Sequence, residues 1–171
     1  MSSQSSSIVW AKPAVPRHVI QFVVVDEAGR VILLHRSNTV RSARNVWSFP
    51  SGMHDIGKTA TEIIAQEMRE ELGLDLNIDT DTIECLGQYE NIAGDVLLLE
   101  QWHWVITMYM VTIQDCGAAV NMEPSKHDRL VLAPMAEVFN SFVQPWNAFG
   151  RWEMHPSIWT WMEKFSEDLH S

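Results

Sequence analysis

Residues 52–74 read GMHDIGKTATEIIAQEMREELGL, and the reading of this stretch decides the rest. Thr59 and Glu62 have the spacing of a capping box, in which each side chain satisfies the other's backbone N–H. Ala60, Ile64, Met68 and Leu72 recur every four residues and form an apolar stripe. Gly73 stands where a left-handed C-cap belongs. A helix beginning at Thr59 and ending before Gly73 is therefore predicted. An irregular loop bracketed by Gly52 and Gly57 precedes it.

Glu67, Glu70 and Glu71 lie at i, i+3 and i+4 on that helix, within an arc of about 100°. Like charges so placed cost a helix a few tenths of a kcal/mol per pair. The arc also abuts the stripe of Ile64 and Met68, so the acids border the buried face. A divalent cation between them would relieve both problems, and hard ions such as Mg²⁺ and Mn²⁺ take oxygen ligands. A solvated acidic face is the plainer reading of Glu-x-x-Glu-Glu taken alone.

On the N-terminal side, Val19–Asp26 is a β-branched run that reads as a buried strand. Asp26–Arg30 supplies turn chemistry, and Val31–Arg36 returns as a second strand. Arg36, Arg41 and Arg44 make a basic loop beyond it. Trp47–Gly52 is a short apolar piece that Pro50-Ser51-Gly52 ends. On the C-terminal side, Thr82–Asn91 and Val96–Ile113 are predicted strands, the second either one bent strand or two. Leu130–Leu132 is a short strand, and helices are expected over Ala136–Phe142 and Pro156–Leu169.

The 171 residues suit one domain. Lys and Arg number 12 against 22 for Asp and Glu, a net charge of -10. That balance argues against long nucleic acid, whose phosphates need cationic surface. Cys85 and Cys116 are the only cysteines, which excludes a disulfide framework and fits a reducing cytoplasm. No run reaches the length of a membrane span. Residues 1–15, opening on a Ser-rich segment, are expected to be a disordered tail, leaving 16–171 as the domain.

Taken together, Gly52-x5-Lys58-x7-Gln66-Glu67-Met68-x-Glu70-Glu71-x-Gly73-Leu74 resembles the Nudix box, Gly-x5-Glu-x7-Arg-Glu-U-x-Glu-Glu-x-Gly-U, where U is bulky and aliphatic. Seven of nine defining positions agree. Trp47-Ser48-Phe49-Pro50-Ser51-Gly52 is similar to the family's Trp-x-x-Pro-Gly-Gly approach, and the likeness runs from Val19 to Val138. It implies an α/β fold, the Nudix α/β/α sandwich with a mixed central sheet. It also implies metal-dependent hydrolysis of a nucleoside diphosphate linked to another group. On this resemblance Glu67, Glu70 and Glu71 are metal-binding carboxylates, and Ser51 occupies the place of a glycine whose carbonyl reaches a metal. Glu67 and Glu71 are the candidate bases, Glu67 preferred.

Lys58 and Gln66 depart from the pattern, replacing Glu and Arg. The double change removes an opposite-charge pair and leaves Gln66 able to donate to Glu67. Such losses around a metal typically cost about 10–100-fold in activity or affinity.

Asn121-Met122-Glu123-Pro124-Ser125-Lys126 resembles the Asn-x-Glu-Pro-x-Lys segment of the MutT-like nucleoside triphosphate hydrolases. Trp102-His103-Trp104 resembles the aromatic-His-aromatic strand before it. By that likeness Glu123 completes the metal site, and Arg36 and His103 meet substrate. Where that group has a Trp in the following strand, this chain has Leu130-Val131-Leu132. Eight tryptophans are many for this length. Trp152 beside Glu153 could stack on a base while the acid reads its edge, although core packing is the commoner fate of a Trp.

The expectation is Mg²⁺- or Mn²⁺-dependent cleavage of a normal or oxidised (deoxy)nucleoside triphosphate to monophosphate and pyrophosphate. A nucleotide-sugar or ADP-ribose hydrolase is the enzyme alternative. A catalytically silent nucleotide-sensing or interaction module is the alternative of another class. The expected partner is a small nucleotide, with no membrane, and the Trp-rich C-terminus would also suit a homodimer interface.

Overall fold

A sheet buried on both faces requires strands apolar along their whole length, and the Val19–Asp26 run meets that need. In a computed structural model, residues 15–41, 43–95, 100–138, 154–155, 157–158, 160 and 162 are described. The run forms the last eight of the eleven residues of β1 (Pro16–Asp26), which turns through Gly29 into β2 (Arg30–Arg36). The other strands are β3 (Trp47–Ser48), β4 (Ser51–Met53), β5 (Thr82–Asp95), β6 (Glu100–Ile113) and β7 (His127–Pro134). They form one mixed sheet of order β3-β2-β1-β6-β5, with β4 on β1 and β7 on β2. β1 runs parallel to β6, and the other pairings are antiparallel.

Helix α1 (Ala60–Leu72) covers one face of the sheet. Its N-cap is Thr59, the capping box with Glu62 is complete, and Gly73 closes it at φ 65°. Only a residue without a Cβ takes that conformation freely. Ile63, Ile64, Met68 and Leu72 pack on Ile20, Phe22 and Val24 of β1 and on Ile32 and Leu34 of β2. Burying each of these side chains is worth about 1.5–3 kcal/mol. On the opposite face Val23, Val25, Leu33, Trp47 and Phe49 pack against Val138, Met154, Ile158 and Met162. Residues 135–138, 157–158, 160 and 162 are helical. Helix, sheet and helical cover are the three layers of an α/β/α sandwich.

Three local readings need correction. Ser51 and Gly52 do not simply end the Trp47 piece: they begin β4, with Ile20 opposite Gly52 and Gln21 opposite Ser51. Pro50 lacks an N–H and breaks the ladder, so one apolar run becomes two strands. The strand at Leu130 runs over all of His127–Pro134, because β2 offers it a full antiparallel edge. The segment after Thr82 continues to Asp95. Residues 96–99, 1–14 and the remaining expected helical positions lie outside the described residues. Among the described residues, no helix is long and apolar enough to cross a membrane.

Asp26 holds the far end of the sheet together. Its buried carboxylate accepts from the backbone N–H of Ala28, Arg30 and Cys116, and from Arg30 Nε at 2.9 Å. Burial pushes its pKa up, but the bonds from Arg30 and Cys116 outweigh that and hold it below the usual carboxylate value. Its stabilising effect is therefore complete above the pKa of the unfolded side chain and is lost as pH falls through the folded one. Asp26→Ala strands three N–H groups and leaves the Arg30 guanidinium with Asp115 alone. The expected loss is about 3 kcal/mol, read as a lower urea midpoint at neutral pH, with the gap from wild type narrowing in acid.

Candidate active site

The ladder between β4 and β1 brings Ser51 and Gly52 against α1. A Cβ on Gly52 would lie 2.7 Å from both Cγ and Cδ of Glu67. Only glycine allows so close an approach. The Ser51 N–H points at Glu71 Oε2 over a long 3.4 Å.

The C-terminal end of α1 positions the second side of the site. Helix ends leave carbonyls unsatisfied, and here the following loop meets them. Val120 N–H donates to Leu72 O at 2.8 Å, and Met122 N–H to Glu71 O at 3.1 Å. Asn121 then folds the loop: its Nδ2 donates to His127 O, and its Oδ1 accepts from Glu123 N–H. Ser37 N–H donates to Lys126 O, tying the loop to the end of β2. Residues 121–127 are thereby pressed onto the last turn of α1.

Glu71 is only 1% exposed. Burial raises its pKa, and Lys126 opposes that shift, its ammonium donating to Glu71 Oε1. The same ammonium pairs with Glu123 Oε2 at 3.1 Å. Glu67 is half-buried; burial first and the Glu71 charge second push its pKa up to about 7. Glu71, Glu123 and His127 each offer a ligand atom, all within 4.8 Å of one another. His127 Nδ1 is buried with no hydrogen-bond partner. Burial, with Lys126 and Arg36 nearby, lowers the His127 pKa to about 4, so its ring is neutral at pH 7. Two carboxylates and an imidazole whose Nδ1 has no partner fit a divalent cation.

The structure gathers Ser51, Glu67, Glu71 and Glu123. Glu70 faces outward, exposed, where its carboxylate accepts from Gln66 Nε2 at 3.0 Å. Gln66 thus donates to Glu70 and not to Glu67, since an i,i+4 pair shares one face and adjacent residues do not. Lys58 donates to Gln66 Oε1 at 2.8 Å and to Asp55 Oδ2 at 3.1 Å. The two positions that depart from the box therefore still bond to each other. Arg36 sits opposite His127 at the end of β2. Burial lowers its pKa, and the nearby Glu71 charge acts the other way. His103 instead pairs with Glu90 across the strands, at 2.8 Å. Its neighbour Trp104 lines the pocket with Val19, Ser51, Glu67 and Lys126. Strand alternation puts the two on opposite faces. Trp152 and Glu153 lie outside the described residues. Lys126, His127 and Trp104 were all inside the quoted segments or next to them, but only their partners across the loop reveal where they go.

A family model described as NUDIX domain matches residues 15–157. Among curated proteins, the low-salt glycan biosynthesis protein Agl8 of Haloferax volcanii is 29% identical over 125 residues, 71% of this chain and 74% of its own length. Nudix hydrolase 3 of Caenorhabditis elegans is 34% identical over 74 residues, 43% of this chain and 29% of that protein. Among solved structures, a MutT protein from Methanosarcina mazei superposes with a TM-score of 0.65 at 15% identity, covering 94% of this chain and all 100% of its own. The NUDIX domain of Shewanella oneidensis NrtR, in complex with ADP ribose, gives 0.58 at 17% identity, covering 90% and 88%. These structural likenesses speak for the fold.

The close approach at Gly52 is open to test. Gly52→Ala forces Glu67 aside. Mg²⁺ affinity measured by calorimetry is expected to fall about 10–100-fold, in a protein that still unfolds cooperatively.

Proposed function

Because this chain belongs to the Nudix family of pyrophosphohydrolases, we propose that it hydrolyses a normal or oxidised (deoxy)nucleoside triphosphate to a nucleoside monophosphate and pyrophosphate, using Mg²⁺ or Mn²⁺. The observation that carries this reading is the seating of Glu123 beside Glu71, which makes the 121–126 segment part of the acidic site. Glu71 and Glu123, with the Ser51 carbonyl and Glu67, would hold the metal. When bound, such an ion neutralises phosphate oxygens and lowers the pKa of its water.

The chain's own residues divide the remaining work. Glu67 is the proposed proton acceptor: half-buried, it lines the pocket beside Ser51 and Gly52, where a carboxylate can take a proton from an attacking water. Glu71 is too buried and too tightly paired for that part, and instead fixes charge in place. Arg36 and Lys126 offer cations to the phosphates, and Trp104 gives the pocket an aromatic wall. Water gives a proton to Glu67 and adds to a phosphorus of the α,β-anhydride, that P–O–P bond breaks, and monophosphate and pyrophosphate leave. Glu70, exposed and bonded to Gln66, is an outer contributor of negative charge.

A second reading within the same chemistry has support of its own. The NrtR domain is complexed with ADP ribose, and Agl8 is named for glycan biosynthesis, so a nucleoside diphosphate linked to a sugar is the alternative substrate. The products separate the two, since only a triphosphate releases pyrophosphate. The gathered carboxylates of Glu67, Glu71 and Glu123 speak for a hydrolase over a silent module.

The test is chromatography of products from a panel of nucleoside triphosphates, oxidised purine triphosphates, nucleotide sugars and ADP-ribose with Mg²⁺. Monophosphate and pyrophosphate are expected from one triphosphate, with EDTA abolishing turnover. Glu71→Gln is expected to lower kcat at least about 100-fold. Turnover unchanged by EDTA or by Glu71→Gln would overturn the reading.

A further inference from the structure

A metal site built only from oxygen leaves open which divalent ion it takes. The residue after the Asn121–Lys126 segment bears on that choice. His127 is the first residue of β7, 2% exposed, directly behind the loop that carries Glu123. Its backbone is fixed twice: His127 N–H donates to Glu123 O, and its carbonyl accepts from Asn121 Nδ2. Its ring is not. Nδ1 is buried with no hydrogen-bond partner, and one ring nitrogen lies within 4.8 Å of a carboxylate oxygen of both Glu71 and Glu123. A buried polar atom left without a partner is unfavourable. Such an atom on a ring that stands beside two carboxylates points to a ligand that all three would bind.

We propose that His127 is a nitrogen ligand that, with Glu71 and Glu123, makes this a mixed oxygen–nitrogen site favouring a first-row transition ion such as Mn²⁺ over Mg²⁺. This inference rests on the hydrolase reading above and sharpens its choice of metal. Mg²⁺ dehydrates reluctantly and takes oxygen ligands. First-row transition ions accept an imidazole nitrogen more readily than Mg²⁺ does, Mn²⁺ the least strongly among them. Lys126 meets the same two carboxylates. With a divalent ion held there, Glu71 and Glu123 would no longer need the ammonium, and Lys126 would be free to turn toward the pocket it already lines.

The test is pulsed EPR of the full chain loaded with Mn²⁺ alone, with Mn²⁺ and Mg²⁺ affinities measured by calorimetry. A directly bound imidazole gives a nitrogen modulation of the Mn²⁺ signal. That modulation is expected in the wild type and expected to vanish in His127→Leu. The same substitution should weaken Mn²⁺ at least about tenfold while leaving Mg²⁺ within about twofold. If His127→Leu does not fold, His127→Gln keeps an oxygen donor at the position and should bind Mn²⁺ without the nitrogen signal. Mn²⁺ bound to the wild type with no nitrogen modulation would overturn the role of His127 and leave the hydrolase reading standing. So would a modulation that survives in the folded variant. Failure of the wild type to bind either metal would overturn both.

Discussion

The carboxylate of Glu71 is taken almost wholly out of water on the sheet-facing side of α1, and much of the site answers that one burial. An isolated buried carboxylate is strongly disfavoured, so a folded chain must protonate it, pair it or coordinate it. Here an ammonium meets it, the Ser51 N–H approaches it, and Glu123 and His127 close around the same space. Breaking such a pair by removing one partner is costly, about 3–5 kcal/mol, because the other charge stays buried. Stability alone does not favour that arrangement over a well-packed apolar one. A site that exchanges one cation for another gives it a use.

The fold delivers this arrangement through two devices. One is the glycine at 52, whose missing Cβ lets β4 lie against Glu67. The other is the unsatisfied end of α1, whose last carbonyls bind the loop that carries Glu123 and Lys126. Both are backbone features, and both bring side chains distant in sequence into one cluster. The packing beneath is continuous apolar contact between α1 and β1, so the helix has little freedom to shift its acids.

How much of this the sequence discloses depends on the range of the interaction concerned. The helix was legible to its ends, since capping, four-residue periodicity and the glycine stop are all local. The three glutamates were legible as one face for the same reason, and so was the strand pair around Gly29. The environments of those glutamates were not. Glu67, Glu70 and Glu71 fall on one arc, yet they are half-buried, exposed and buried, and only the sheet beneath decides which. β4 was hidden because Pro50 and Gly52 are turn residues by local chemistry, and it exists through pairing with a strand about thirty residues earlier. His103 drew attention where Trp104 lines the pocket, because an aromatic-His-aromatic run does not say which face is inward. Lys126 stood in plain view, but its partner Glu71 is 55 positions away.

Lys58 and Gln66 show how a departure from a family pattern can keep a contact while changing its chemistry. A charge-assisted pair becomes a lysine bonded to an amide, with the amide passing a second bond to Glu70. The central claim, however, concerns the cation between Glu71 and Glu123. The most direct measurement is an anomalous difference map from a crystal grown with Mn²⁺. The account predicts a peak between Glu71 and Glu123, with the Lys126 ammonium moved away from them. No peak there, with Lys126 still bridging the two carboxylates, would contradict it.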